Sequence, residues 1–155
     1  MSLGIAENAV RLLREASVDV FASFPCDRVK HLYDLVTKNF RHVSLSREEE
    51  GVGICAGASL AGARPAMLVQ SSGIGNMINA LCSLTKVYRF PLLILVSWRG
   101  IYNEKIPAQV PLGERLPGVL RALDIMYAAI MNQRDLSLIG APAKEAYENS
   151  SISAI

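Results

Sequence analysis

Charge is scarce in this sequence: Asp, Glu, Lys and Arg make up 19% of its 155 residues, and 16 basic against 14 acidic side chains leave a formal charge of +2. So small a charge, spread evenly along the chain, gives no basic face for nucleic acid, and that class of partner is set aside. Histidine is scarcer still. His31 and His42 are too few for a metal site built from this chain alone, and none is expected. The three cysteines, Cys26, Cys55 and Cys82, form no CxxC pair and lie in apolar or turn contexts, which suits free thiols in a reducing compartment. Long apolar runs are missing too. Stretches such as Pro91 to Val96 fall far short of the roughly 20 residues that cross a bilayer, and the start lacks a basic stretch followed by an apolar one. A cytoplasmic protein without membrane contact is expected.

What the chain has in quantity is apolar surface, 51% of its residues. A chain of this length matches one domain that buries about two thirds of its unfolded surface. The apolar share exceeds what a solitary small domain needs, so partners are expected.

Apolar positions Ile5, Ala9, Val10, Leu12, Leu13 and Ala16 form a helical stripe over 5–16, a first amphipathic helix. Asp19 to Ser23 reads as a strand ended by Pro25, with Asp27 placed to cap a helix towards Thr37. Arg41 to Leu45 supplies another strand. Ser46 followed by Glu49 fits a capping box for a small-residue helix from Arg47 to about Leu60, stopping near Gly62. Pro65 to Val69 and Pro91 to Val96 are continuous apolar runs of strand length. Between them, 74–87 has helical spacing. The stretch 99–112 is a long, proline-containing loop and so a functional candidate. Beyond it a helix is expected over 113–123, a strand over 125–130, and a helix over 133–148 weakened by Gly140 and Pro142. Strand and helix alternate, and the strands are apolar on both faces. The expected fold class is therefore α/β, an open and mainly parallel sheet with helices on both faces, in one domain over 1–155.

Ligands of such sheets bind at the carboxyl ends of the strands, here Phe24 to Asp27, Ser44 to Glu50, Gln70 to Asn76, and Ser97 onward. Gln70-Ser71-Ser72-Gly73-Ile74-Gly75-Asn76 leads a strand into a helix N-terminus, where free N–H groups admit a polar ligand; a tight turn without a ligand fits the same residues. It is no dinucleotide fingerprint, since Ile78 occupies the third glycine position. Glu48, Glu49 and Glu50 suit the positive end of a helix dipole or acid–base chemistry, and for Glu49 the dipole reading is preferred. Asp27 fits a helix cap or a site facing substrate. Arg28 and Lys30 are solvated charges or a lure for an anionic tail, and Arg99 is an oxyanion fork or a structural ion pair.

The gapless stretch Ser46 to Asn76, continued by Asn79-Ala-Leu-Cys-Ser-Leu84, resembles the pyrimidine domain of thiamine-diphosphate decarboxylases. So do Phe-Pro-Cys-Asp at 24–27, Trp-Arg-Gly at 98–100 and Ala-Gln-Val-Pro-Leu-Gly at 108–113. The chain is most similar to the phosphonopyruvate and sulfopyruvate decarboxylase family. The resemblance implies that Glu48, nine residues before Gly57, is the catalytic residue that shares a proton with the pyrimidine ring of the cofactor. It further implies that Gln70, Ser71, Ser72, Gly73, Gly75 and Asn76 line thiamine diphosphate, and that Asp27 and Arg99 face substrate.

Single-chain relatives carry a second domain with a GDG block that binds Mg2+ and the diphosphate. No GDG occurs here. The resemblance thus implies a carboxy-lyase that is active only with a diphosphate-domain beta subunit holding Mg2+, and a homo-oligomer when isolated. The arrangement and the Gln109-Val-Pro-Leu-Gly113 block resemble the sulfopyruvate enzymes, whose alpha subunit acts in coenzyme M biosynthesis by turning sulfopyruvate into sulfoacetaldehyde. Alternatives are a phosphonopyruvate or other 2-oxo-acid decarboxylase subunit, and a non-catalytic module retaining the fold. The tail Asn149 to Ile155 is short and only weakly strand-like, so the sheet edge is expected to be truncated there, with a partner or disorder in its place.

Overall fold

The computed structural model describes residues 1–155. The chain runs α1 (Leu3–Glu15), β1 (Val20–Ser23), α2 (Lys30–Asn39), β2 (Arg41–Ser44), α3 (Glu48–Leu60), β3 (Pro65–Gln70), α4 (Ser71–Ala80), β4 (Leu92–Ser97), α5 (Val110–Ala122), β5 (Met126–Tyr127), α6 (Gly140–Glu148) and β6 (Ile152–Ala154). The six strands form one sheet in the order β2-β1-β3-β4-β6-β5, and every pairing is parallel. The expected α/β class is the observed one. No helix is long and apolar enough to cross a membrane.

Side chains alternate across the strands, so two cores form. Phe21, Ala66, Leu68, Leu93 and Leu95 face α1, α2 and α6. Ala22, Met67, Val69, Leu92 and Ile94 face α3, α4 and α5. Burying both faces of β3 and β4 is what makes those strands read as unbroken apolar runs. Chain order reverses between β1 and β3, the switch point at which such sheets open a crevice at their carboxyl ends.

Several local expectations change. Asp27 caps nothing: it opens a 3-10 turn, Asp27–Val29, whose N-cap is Cys26, and no side chain caps that turn or α2. The Ser46–Glu49 capping box does not form either. The N-cap of α3 is Arg47, and Glu50 rather than Glu49 reaches back, its Oε2 accepting from the Ser46 N–H at 3.1 Å. The helix expected over 74–87 starts at Ser71 and ends in a π-helical segment, Leu81–Lys86. The last helix is split into a 3-10 segment, Gln133–Ile139, and α6. Asn132 and Asp135 close a capping box at that 3-10 start.

Proline 117 lies inside α5. Having no N–H, it leaves the carbonyl of Gly113 without its helical donor, and the Trp98 indole N–H donates to that carbonyl at 2.8 Å. The expected strand over 125–130 shrinks to Met126–Tyr127 at the sheet edge. The C-terminal strand does form: β6 is buried throughout and lies between β4 and β5. The expected truncation is thus corrected. Small side chains suffice there because β6 inserts between two neighbours, and Ser153 satisfies its hydroxyl on the Pro142 carbonyl at 2.5 Å.

Candidate active site

The turns after β1, β2, β3 and β4 meet at one edge of the sheet, as the switch point requires. β2 places Leu45 and the first turn of α3 beside β1, and of three consecutive glutamates only one turns inward. Glu48 is 9% exposed, while Glu49 and Glu50 are exposed. Glu49 pairs with Arg47 at 3.3 Å on the surface. A carboxylate withdrawn from water needs partners. Glu48 has one: Asn76 Nδ2 donates to Oε2 at 3.0 Å. No group of the chain donates to its Oε1.

The first turn of α4 is shaped around that carboxylate. A Cβ added to Gly73 would lie 2.7 Å from both Cγ and Oε1 of Glu48, so glycine is needed there for the approach of another side chain rather than for a turn. The backbone N–H groups of this first turn have no intrahelical acceptor. The Ser71 side chain is engaged within the chain. Its buried hydroxyl donates to the Arg99 carbonyl at 3.2 Å and accepts from the Arg99 N–H at 3.1 Å, which ties α4 to the exit of β4. Ser72 is half-buried, and Gly75 and Asn76 are exposed. Gln70 reaches sideways, its Nε2 donating to the Pro25 carbonyl at 3.5 Å.

Arg99 is 8% exposed, and its guanidinium is largely committed. Nε and Nη2 donate to Glu104 at 2.7 and 2.9 Å, the geometry of a bidentate ion pair. Nη1 faces Gln70 Oε1 at 3.5 Å. The structural ion pair weighed against the oxyanion fork is therefore present, with one nitrogen left over. Sequence reasoning missed Glu104, whose side chain is 3% exposed and which also accepts from the N–H groups of Gly100 and Ile106. Those hydrogen bonds, that from Arg99 foremost, hold its carboxyl well below the usual range.

The loop is clamped at its far end as well. Gly113 has no room for a Cβ, which would lie 2.0 Å from the Arg99 carbonyl oxygen. Asp27 is exposed at the exit of β1, and its carboxylate takes no hydrogen bond from the chain. Cys26 beside it is buried and donates to Ser97 Oγ at 3.2 Å, joining the exits of β1 and β4.

Chemically, this edge offers a buried carboxylate with one oxygen free, an open helix N-terminus and a rigid loop. That suits one end of a planar, nitrogen-bearing ring, and the donor set fits an aminopyrimidine. No group of three His, Cys, Asp or Glu side chains converges where a metal ion could be held. A cavity of about 560 Å3 lies to one side at the ends of β4 and β6, is lined mainly by apolar residues and does not include Glu48.

Residues 4–127 match the family described as thiamine pyrophosphate enzyme, N-terminal TPP binding domain. The chain is 49% identical, over 93% of its length, to a sulfopyruvate decarboxylase of Methanosarcina acetivorans, of which it spans 37%. It is 40% identical over 81% of its length to a sulfopyruvate decarboxylase subunit alpha of Methanococcus maripaludis, covering 76% of that protein. Among solved structures, a 2-oxoglutarate:ferredoxin oxidoreductase from Magnetococcus marinus superposes with a TM-score of 0.70 over 99% of this chain and 28% of that one, at 15% identity, which speaks for the fold alone. The chain belongs to the thiamine-pyrophosphate enzyme family and carries its N-terminal cofactor-binding domain.

Proposed function

We propose that residues 1–155 are the pyrimidine-binding domain, and the alpha subunit, of a thiamine-diphosphate-dependent sulfopyruvate decarboxylase. A beta subunit would supply the diphosphate-binding domain and Mg2+. The observation that carries this is Glu48: the only buried glutamate of its triplet, with Oε2 fixed by Asn76 and Oε1 without a donor. Relatives named for this activity, one of them as an alpha subunit, support the substrate and the division into two chains.

Thiamine diphosphate, when bound, supplies the electron sink that accepts the pair left as carbon dioxide departs from a 2-oxo acid. Glu48 would hold the ring nitrogen of the cofactor through Oε1, where it could hold or move a proton, and its burial would strengthen that contact. Asn76 keeps the carboxylate in the orientation this requires. Gly73 lets the Glu48 side chain lie against the start of α4, and Gln70, Ser72 and Gly75 border the same helix start. Ser71 acts from behind, through the Arg99 backbone. Asp27 at the exit of β1 and Arg99 at the exit of β4 flank the substrate.

The apolar composition favours assembly, as does a second feature. From Gly51 to Ala63 and from Ser71 to Thr85 there is no charged residue, yet Gly53, Gly57, Leu60 and Asn79 on those adjacent helices are exposed. Such a surface supports a homo-oligomer of the isolated chain and a hetero-oligomer of the active enzyme.

The test is Glu48→Gln in the complex co-expressed with a diphosphate-domain subunit, measuring carbon dioxide release from sulfopyruvate. Loss of turnover with the fold and assembly intact is expected; full activity in the variant would remove the mechanism.

A further inference from the structure

Three charged side chains meet beside the proposed active site, and the mechanism above uses only one of them. Glu104 Oε2 takes Arg28 Nη2 at 3.3 Å on one side and Arg99 Nε at 2.7 Å on the other. One carboxylate between two guanidiniums leaves a net positive charge. The nearby charges of Asp27 and Lys105, both exposed, cancel in the sum.

The two arginines differ in what they can still do. The Arg99 side chain is 10% exposed and has only Nη1 to spare, whereas that of Arg28 is 39% exposed and makes no other side-chain contact with an acceptor. Glu104 itself is well occupied, accepting from Arg99 twice and from the Gly100 and Ile106 N–H groups while forming an ion pair with Arg28. It therefore holds Arg28 in place without exhausting its donors. Arg28 is also the only charged side chain lining the large apolar cavity, where Ser97 and Trp98 are among its neighbours.

Resting on the decarboxylase reading, we propose that Arg28, held by Glu104 and assisted by the spare Nη1 of Arg99, binds the sulfonate of the substrate, with Glu104 as a positioning residue. A guanidinium presents parallel donors that match two oxygens of a tetrahedral anion. A fixed one loses less freedom on binding than a solvated one. The anion-binding part expected of Arg99 thus passes mainly to Arg28, because Glu104 consumes the Arg99 fork.

Sulfoacetate carries a sulfonate and a carboxylate but no reactive carbonyl. It is titrated into the chain, alone and in the co-expressed complex, while fluorescence of Trp98, the only tryptophan, is followed. The expected result is a saturable change, weakened by salt and absent with acetate, whose midpoint rises at least about tenfold in Arg28→Met. In the complex, the ratio of kcat/KM for sulfopyruvate to that for pyruvate falls by at least about tenfold in the same variant, through KM, and Arg28→Lys restores part of it.

No saturable change in either form, or an unmoved midpoint in Arg28→Met, overturns the assignment. So does an equal loss on both substrates, which would make Arg28 structural. If the wild-type complex decarboxylates nothing, the function reading fails, and the sulfoacetate titration still decides whether the anion site exists.

Discussion

Gly73 and Glu48 stand so close that a Cβ on the glycine would lie 2.7 Å from a carboxylate oxygen. Gly73→Ala should therefore push the carboxylate aside, and a displacement near 1 Å costs about 100-fold in rate. Alanine is the better helix former by about 1 kcal/mol, so stability should change little. Steady-state kinetics beside a thermal melt check this, and unchanged kcat in a folded variant would place the carboxylate's function elsewhere.

Glu48→Gln should lower kcat by at least about 100-fold, the lower bound for removing a positioned acid–base group. Glu49→Gln should have little effect, since that side chain pairs with Arg47 in solvent. Asn76→Ala frees one oxygen of Glu48 and should fall between them. Kinetics of the three variants on one substrate order them, and equal damage from Glu49→Gln would mean that the wrong glutamate has been chosen.

Acid should loosen the loop after β4. The Glu104 carboxyl is lowered from its ordinary value of 4.5, chiefly by the hydrogen bond from Arg99. A depressed carboxyl gives stability that is complete above its unfolded value and is lost as pH falls through the folded one. Melting temperature should thus drop below about pH 4.5 more steeply in the wild type than in Glu104→Gln, which should already be less stable at neutral pH. Matching pH profiles would show that the ion pair contributes nothing.

Thiol reactivity reports the core. Burial pushes the Cys55 thiol up to about 12, so it should resist iodoacetamide at pH 8 until the protein unfolds, as a thiol that does not ionise is a poor nucleophile. Cys82, half-buried on the π-helical segment, should react first. Peptide mapping of the labelled protein distinguishes them, and early labelling of Cys55 would indicate that α3 opens away from the sheet.

Much of this was legible in the sequence, for physical reasons that also explain the gaps. β3 and β4 are recognisable because both their faces are buried, and the end of α3 because Gly62 adopts a positive φ of 83°. β6 was not, because Ser153, its central residue, is buried with its hydroxyl satisfied on the Pro142 carbonyl, so the strand forms without an apolar pattern. The start of α3 was misread because Glu49 and Glu50 are equivalent as sequence, and only the turn of the helix decides which one reaches Ser46. Glu48 was found through family resemblance, since its burial depends on Asn76 and Gly73 in another element. Glu104 was missed altogether: it meets Arg99 across an irregular loop with positive φ at Gly100, Tyr102 and Asn103, which no periodicity announces.

The most direct test of the account is carbon dioxide release from sulfopyruvate and from phosphonopyruvate, with thiamine diphosphate and Mg2+, by this chain with and without a co-expressed diphosphate-domain subunit. Activity only with the partner, and faster on sulfopyruvate, is the predicted result; no activity on either substrate in either condition would contradict it.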